Sequence, residues 1–312
     1  MRLVLSVVML AILLPRLNTS TLFPDHHLQT VLWISAALVV AVLSMVLSAF
    51  RWQQMVHALE LPARLPPLVA HTFAGLFVSN FLPTTIGGDV LRASRLGASN
   101  GHRKVSAASV VLERLTGFIC LPLISLVALV TTPSLLRLGT ASRIALVLSL
   151  GPLAAVSAFM VLAANPRLGE RLGKRLGGRR WLGLAMTVHL GLVRLRRHPA
   201  LALTVMGAAL AYQLTVILLV WMAAHALGLS ISWTAMMAFI PVVAIAQSLP
   251  LSIGGLGIRE GSLVVLFGPL GVSDSHAVAL GLLLYAINIT VSLLGAPSFL
   301  VGARRRLEPA PV

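Results

Sequence analysis

Long apolar stretches separated by short polar segments dominate the hydropathy pattern of this chain. Most approach or exceed the ~20 residues that a membrane-spanning helix needs. They lie at residues 3–14, 28–50, 105–130, 144–163, 200–227 and 278–301. The pattern predicts six crossings, of which the first is short unless it continues past Pro15. Arg51 and Trp52 follow the second stretch and are predicted to anchor its end at the membrane surface.

Two further apolar stretches, 66–88 and 231–257, are interrupted by proline and paired glycines. Each overlaps one copy of an internal repeat, NFLPTTIGGDVLR at 80–92 and QSLPLSIGGLGIR at 247–259. Proline and glycine free backbone polar groups, which survive at membrane depth only when buried in protein or facing a watery cavity. Cationic segments flank the first stretch on both sides, so we predict a re-entrant hairpin there. The two copies are the first candidates for a functional site.

Composition confirms the membrane assignment and limits the choice of partners. The 312 residues are 58% hydrophobic and 10% charged, with a net charge of +16. In a soluble protein that charge would suggest nucleic acid, but here the cations cluster in a few loops and predict contact with anionic cytoplasmic lipid. The most basic loop, 165–199, has the leucine spacing of an amphipathic helix at the membrane surface.

The distribution of cations also predicts an orientation. Loops on one side collect nineteen of the 24 Lys and Arg residues. By the positive-inside rule, both termini then lie in the cytoplasm and the protein is a multi-pass protein of the inner (plasma) membrane. Three crossings separate the two repeat copies, so the second copy is inverted relative to the first. Inverted repeats with broken helices are the architecture of secondary transporters.

We therefore predict an all-α membrane protein, a polytopic helical bundle forming one domain over 1–312. Its two inverted-topology, broken-helix repeats are centred on 80–92 and 247–260.

Three carboxylates occur in or beside the apolar segments, and each has an arginine close in sequence. Asp89 is near Arg92, Glu113 precedes Arg114, and Glu260 follows Arg259. Adjacent residues on a helix do not face one another, so we expect Glu113 and Glu260 to pair across helices or with a ligand instead. The alternative is a structural lattice of ion pairs that holds the hairpins together. Coupling of Asp89, Glu113 and Glu260 to protons is a further hypothesis.

The arginines of the two copies suit a phosphate-bearing head group. A guanidinium presents a planar fork of donors to phosphate and keeps its charge in lipid. The predicted substrate-binding residues are Arg92, Arg259, Asn80, Gln247, Gly87, Gly88, Gly254 and Gly255. The glycines would let a ligand or the opposing hairpin approach the backbone closely, although helix breaking and tight packing explain them equally well.

Several kinds of enzyme find no support in the sequence. The nine histidines show no metal-binding spacing, and neither a P-loop nor a Gly-x-Ser-x-Gly motif is present. Cys120 is the only cysteine, so it forms no disulfide framework. We expect no metal and no cofactor.

The motifs resemble the transmembrane domain of the lysylphosphatidylglycerol synthase/flippase family. The resemblance rests on N80-x-x-P83-x-x-x-G87-G88-D89-x-x-R92, on E113-R114, and on L249-P250-x-x-I253-G254-G255-x-G257-x-R259-E260. It implies a translocase for a phospholipid or polyprenyl-phosphate-linked lipid. Larger members of the family add a soluble aminoacyl-transferase domain after the last span. Since this chain ends six residues after Arg306, we expect a transporter more than an enzyme.

Two rival functions stay open at this point. One is a membrane-embedded glycosyl- or acyl-transferase with a carboxylate as its base, and the other is an accessory subunit of a lipid-modifying enzyme. A transferase needs a sizeable extramembrane region for its soluble donor, whereas the largest loop here is basic and poor in acids. The expected partners are membrane lipids and not nucleic acid, with a second copy of the chain or a lipid-biosynthesis enzyme as further candidates.

Overall fold

The computed structural model of the protein describes residues 27–81, 87–164, 188, 191–195, 197–248 and 255–300. Within these ranges the chain forms helices and turns and contains no strand. Short 3-10 helices occupy Pro133–Arg137 and Gly268–Leu270. The α-helices, numbered in chain order, are α1 (His27–Ala58), α2 (Leu65–Phe81), α3 (Gly87–Asn100), α4 (Arg103–Thr131), α5 (Thr140–Ala164), α6 (Pro199–Ala226), α7 (Trp233–Ser248), α8 (Ile258–Phe267) and α9 (Asp274–Leu293).

Five of these helices, α1, α4, α5, α6 and α9, are long and apolar enough to cross a membrane. At 1.5 Å per residue, about 20 residues cover the ~30 Å hydrocarbon core of a bilayer. Large apolar side chains such as Leu28, Val130 and Leu203 are exposed on them, which suits contact with lipid tails. The predicted all-α, multi-pass membrane fold is therefore confirmed. The predicted first span at 3–14 lies outside the described residues.

The predicted anchor at the end of the second stretch is wrong. Helix α1 continues through Arg51 and Trp52 to Ala58, and the Trp52 side chain is fully buried. Its indole packs with Val56, Leu68 and Leu96, and its Nε1–H donates a hydrogen bond of 3.0 Å to Ser109 Oγ. A cation and a tryptophan after an apolar stretch indicate a membrane surface only when no protein neighbour covers them, and here α2, α3 and α4 supply that cover.

The last predicted span is also shorter than expected. Helix α9 ends at Leu293, and a turn at 294–295 separates it from the helical residues 296–300. Gly295 passes so close to the backbone carbonyl of Phe73 in α2 that a β-carbon at position 295 would overlap it. Glycine therefore permits this close contact.

Both repeat copies interrupt a helical segment. Residues 82–86 lie between α2 and α3, and residues 249–257 lie between α7 and α8. Pro83, Pro250 and Gly254 lie in these gaps, outside the described residues. At 17 and 16 residues, α2 and α7 are shorter than the spanning helices. The predicted breaks are present, while the inverted orientation of the two copies stays a prediction.

The chain divides into two compact units, each assembled from separated stretches. Unit 1 comprises Met1–Ser44, Phe118–Ala154 and Ala211–Ile289, and unit 2 comprises Met45–Gly117, Ala155–Leu210 and Thr290–Val312. Within unit 1, Ser125 Oγ in α4 donates a 2.6 Å hydrogen bond to the Ala238 carbonyl in α7, and Phe239 packs edge-on against Phe267 in α8. The first repeat copy belongs to unit 2 and the second to unit 1.

Candidate functional site

Helices α2 and α3 approach closely at two glycines. A β-carbon on Gly88 would overlap both the Gly75 carbonyl and Ser79 Oγ. A β-carbon on Gly75 would lie 3.0 Å from Cγ of Arg92. Gly88 therefore allows the two helices to meet, and Gly75 leaves room for the arginine that follows one turn later in α3. Close packing of α2 against α3 therefore accounts for glycine at both positions.

A continuous series of ion pairs joins α1, α3 and α4 in unit 2. Arg51 Nη2 lies 2.7 Å from Glu113 Oε1, and Glu113 Oε2 lies 3.1 Å from Arg92 Nη2. The same Arg92 Nη2 donates to Asp89 Oδ1 at 2.8 Å. Asp89 Oδ2 in turn pairs with Arg114. We call these five residues the unit 2 network.

Solvent exposure increases along the unit 2 network from Glu113 to Arg114. The Glu113 side chain is 2% exposed, that of Asp89 is 15% exposed, and that of Arg114 is 51% exposed. Arg114 lies eleven residues after the first residue of α4, about 16 Å along the helix at 1.5 Å per residue. The exposed end of the network is thus Arg114, which lies deep within a helix that is long enough to span the membrane.

Trp52 supports the buried part of this network. The Arg92 guanidinium carbon lies 4.9 Å from the centre of the Trp52 ring, a cation–π geometry. The ring is itself held by the hydrogen bond to Ser109. Arg92 therefore has two carboxylates and one aromatic face as neighbours and is buried. Such a cation depends on its partners because an unpaired buried charge is costly.

The second repeat copy forms a local ion pair at the start of α8. Arg259 donates from Nε and Nη2 to Glu260 Oε1 at 3.1 and 2.9 Å. Glu260 Oε2 accepts the backbone N–H of Gly257 at 2.6 Å, which caps the helix. The expectation that the adjacent residues Arg259 and Glu260 do not pair is wrong. Glu260 turns back to cap the first turn, so its carboxylate lies beside the backbone where the long Arg259 side chain reaches it. Glu113 and Arg114 instead have different partners.

Small residues and an aromatic ring enclose this pair. Glu260 is fully buried against Gly281 of α9, where a β-carbon would lie 2.7 Å from Glu260 Cγ. The Arg259 guanidinium carbon lies 5.5 Å from the centre of the Tyr285 ring. Gly255 has a φ of +78°, and a β-carbon there would lie 2.8 Å from Gln247 Oε1. Gln247, Gly255, Arg259 and Glu260 therefore form one neighbourhood in unit 1.

The structure places the predicted site residues in two groups. Gly88, Asp89, Arg92, Glu113 and Arg114 come together in unit 2, and Gln247, Gly255, Arg259 and Glu260 in unit 1. Asn80 is half-buried near the end of α2, Gly87 begins α3, and Gly254 lies outside the described residues.

Sequence reasoning missed Arg51. Its partner Glu113 is 62 positions away, and only the apolar residues of α1 precede it nearby. A polar, helix-compatible continuation after Arg51 (WQQMVHA) was the available signal that the helix does not end there.

The fold and site define a polytopic α-helical membrane protein with arginine–carboxylate clusters buried beside two broken helical segments. The chain belongs to the family described as the lysylphosphatidylglycerol synthase TM region, whose model matches residues 1–295. No curated protein and no solved structure matches the chain.

Proposed function

We propose that this protein moves a phosphate-bearing lipid between the leaflets of the membrane. The observation that carries the proposal is the half-exposed Arg114, about 16 Å along a spanning helix. A guanidinium exposed to hydrocarbon costs several kcal/mol, so intramembrane arginines usually face water or an anionic partner. Asp89 contacts one side of the Arg114 guanidinium, and the exposed remainder of that guanidinium can bind a lipid phosphate, since the guanidinium fork matches phosphate oxygens.

In this mechanism the head group travels through a polar path while the lipid tails stay in the bilayer. Arg114 and Asp89 form the receiving end, and Arg92, Glu113 and Arg51 hold that end in place from the buried side. Rocking of the broken helical segments would then expose the head group to one side of the membrane and then to the other, as in transporters with inverted repeats. Head-group binding at the second copy by Arg259, and contacts from Asn80, Gln247 and the glycine pairs, stay predictions.

The pairing of the carboxylates weakens the case for a transferase. Each carboxylate oxygen of Asp89, Glu113 and Glu260 already lies next to a guanidinium or a backbone N–H. A general base must reach the proton that it removes, and carboxylates held in this way are better suited to structure and positioning. The same contacts disfavour proton coupling through these residues.

For orientation, we propose that the protein is a cell-membrane protein with both termini in the cytoplasm. Arg51 and Arg92, two of the nineteen cations counted on that side, are buried in ion pairs and should not be counted as loop charges. Removing them leaves seventeen, against three on the opposite side, so the asymmetry that supports the orientation persists.

The test is lipid transfer in reconstituted vesicles. Purified protein is placed in phosphatidylcholine vesicles that contain a trace of fluorescent phosphatidylglycerol, and dithionite reports how much probe reaches the outer leaflet. We expect Arg114→Gln to slow transfer about tenfold or more, since a hydrogen bond to a charged group contributes ~1.5–3 kcal/mol. Arg137→Gln, which removes an exposed cation on the first 3-10 helix, is the matched control and should behave as wild type.

Two outcomes would contradict the proposal. One is transfer by folded Arg114→Gln at the wild-type rate, and the other is a wild-type protein that transfers no lipid although it is monodisperse. The same assay with Arg259→Gln tests the predicted second contact with the head group.

A further inference from the structure

Residues 295–299, which follow the last spanning helix, pack against α2 within unit 2. We call them the C-terminal clasp. A β-carbon on Gly295 would overlap the Phe73 carbonyl, and the Phe299 ring centre lies 5.8 Å from that of Phe77. Residues four apart lie on one face of a helix, so both contacts fall on a single face of α2. The clasp therefore follows α2 over a full turn.

Arg95 fastens the same clasp to α3. Its Nη1 donates a 3.0 Å hydrogen bond to the Ser298 carbonyl, and its Nη2 donates one of 3.2 Å to the Phe299 carbonyl. The guanidinium carbon lies 6.0 Å from the centre of the Phe299 ring, at the outer limit of a cation–π contact. A planar fork of donors holds two neighbouring acceptors at once, whereas a lysine ammonium is a point charge. The clasp therefore joins the two helices on either side of the first break.

Helix α3 is thus held from two sides. Asp89 and Arg92 connect it to α4 through Arg114 and Glu113. Arg95 lies six residues after Asp89, about 120° away around the helix at 3.6 residues per turn, and contacts the clasp instead. Because α3 has only 14 residues and follows a break in the helical segment, a contact on its second side restricts how it can tilt or rotate.

We infer that the C-terminal clasp positions α3 for lipid transfer and that Arg95 is the positioning residue. This inference rests on the proposed function, because it takes the Arg114 guanidinium beside Asp89 as the contact for the head group. Arg95 acts through α3, since two of its donors bind backbone carbonyls of the clasp. When that contact is lost α3 moves more freely, so Asp89 holds Arg114 less firmly and more lipid is needed for the same rate.

The first measurement is hydrogen–deuterium exchange of the full-length protein in detergent, without added lipid. Arg95→Gln should speed exchange of the backbone amides of α3, on the order of tenfold for a lost hydrogen bond to a charged group. Arg95→Lys, which can still donate to one carbonyl, should show a smaller increase. Exchange in α7 and α8, which belong to unit 1, should match wild type. Arg137→Gln removes an exposed cation elsewhere and should match wild type throughout.

The second measurement is the vesicle transfer assay, repeated over a range of mole fractions of fluorescent phosphatidylglycerol. Arg95→Gln should raise the mole fraction that gives half of the maximal rate by up to about tenfold, while the maximal rate changes less. Ser125→Ala is the control for a purely structural loss, since it removes a 2.6 Å hydrogen bond within unit 1. It should lower Tm and leave the half-saturating mole fraction unchanged.

Two variants of the clasp separate this role from the other contacts of Arg95. Gly295→Ala sets a β-carbon against the Phe73 carbonyl, and Phe299→Leu removes the ring between Phe77 and Arg95. Each should reproduce both effects of Arg95→Gln, and Phe299→Leu replaces it if that variant yields no monodisperse protein. Because both changes release the same clasp, Arg95→Gln with Gly295→Ala should resemble the stronger single variant instead of adding the two effects.

Three results would overturn the inference. They are unchanged exchange in α3 of folded Arg95→Gln, a rise in the half-saturating mole fraction that Ser125→Ala matches at the same Tm, and full additivity in the double variant. None of these touches the proposed function, because Arg114 would still bind the head group without help from the clasp. Absence of transfer by wild type, together with faster exchange in Arg95→Gln, would instead remove the proposed function and leave the clasp as a structural contact.

Discussion

The two repeat copies share six identical residues in thirteen but build different electrostatic environments. In unit 2, Arg92 joins a network that reaches across α1, α3 and α4 and ends at a half-exposed cation. In unit 1, Arg259 and Glu260 form a buried pair within the first turn of α8. The arginine is therefore common to both copies, and its partners decide whether it belongs to an extended cluster or to a local cap.

The difference begins with where the carboxylate stands in each copy. Asp89 corresponds to Leu256, and Glu260 corresponds to Ala93. An acid three residues before the arginine lies on the same face of α3 and has a second oxygen free for a neighbouring helix. An acid at the third position of α8 instead caps the helix N-terminus and uses its second oxygen there. The carboxylate thus lies three residues before the arginine in the first copy, where it bridges two helices. It lies one residue after the arginine in the second copy, where it caps a helix.

The largest expected difference between the copies concerns loss of the buried carboxylate. Glu113→Gln removes the carboxylate that contacts both Arg51 and Arg92, so we expect a loss of about 3–5 kcal/mol of stability and little monodisperse protein. Glu260→Gln keeps an amide oxygen for the Gly257 N–H, and Arg259 keeps the Tyr285 ring. Because one buried guanidinium loses its carboxylate here instead of two, we expect a loss near the lower end of the same range, about 3 kcal/mol.

Melting temperatures and yields in detergent check both variants. Asp274→Asn provides a control, because this acid lies at the first residue of α9 and outside both clusters. Equal losses for the two glutamates would remove the distinction between an extended network and a local cap.

A smaller contrast concerns the glycines. Gly88→Ala places a methyl group against the backbone of α2, which forces the two helices apart and should cost about 1–3 kcal/mol or more, as overpacking does. Gly255→Ala meets the flexible side chain of Gln247, and its cost of about 1–2 kcal/mol comes from the left-handed backbone at φ +78°.

Gly207→Ala in α6 is the matched control, since no atom lies within 4 Å of a β-carbon there. Thermal unfolding should leave that control unchanged or slightly stabilised, because alanine favours helix over glycine. If Gly88→Ala melts like Gly207→Ala, the close contact between α2 and α3 is not needed for stability.

The smallest expected effects concern the aromatic ring beside each arginine. Ser109→Ala removes the acceptor for the buried Trp52 N–H and should cost about 1 kcal/mol, a typical net value for a hydrogen bond. Tyr285→Phe keeps the ring that faces Arg259 and should shift Tm by less than the measurement error. A clear loss with Phe at 285 would show that the tyrosine hydroxyl, and not only its ring, supports the second copy.

Much of the architecture follows from local properties of the sequence. Hydropathy and length predicted the spanning helices α1, α4, α5, α6 and α9, because burial in lipid is a property of each segment taken by itself. Proline and paired glycines predicted the breaks that separate α2 from α3 and α7 from α8. Asp89 and Arg92 were singled out because charges are rare in such segments and need partners, and the structure pairs them with each other.

Only the tertiary structure decided which charges meet and which surfaces are covered. Arg51 and Trp52 follow an apolar stretch, and the sequence after them indicates that the helix continues but not that both side chains are buried with partners on α4. The contact of Arg259 with Glu260 depended on the cap at Gly257. The close approach of Gly295 to the Phe73 carbonyl joins residues that lie far apart in the sequence. Hydropathy and spacing act within one helix, whereas ion pairing and close packing depend on residues that folding brings together from distant parts of the chain.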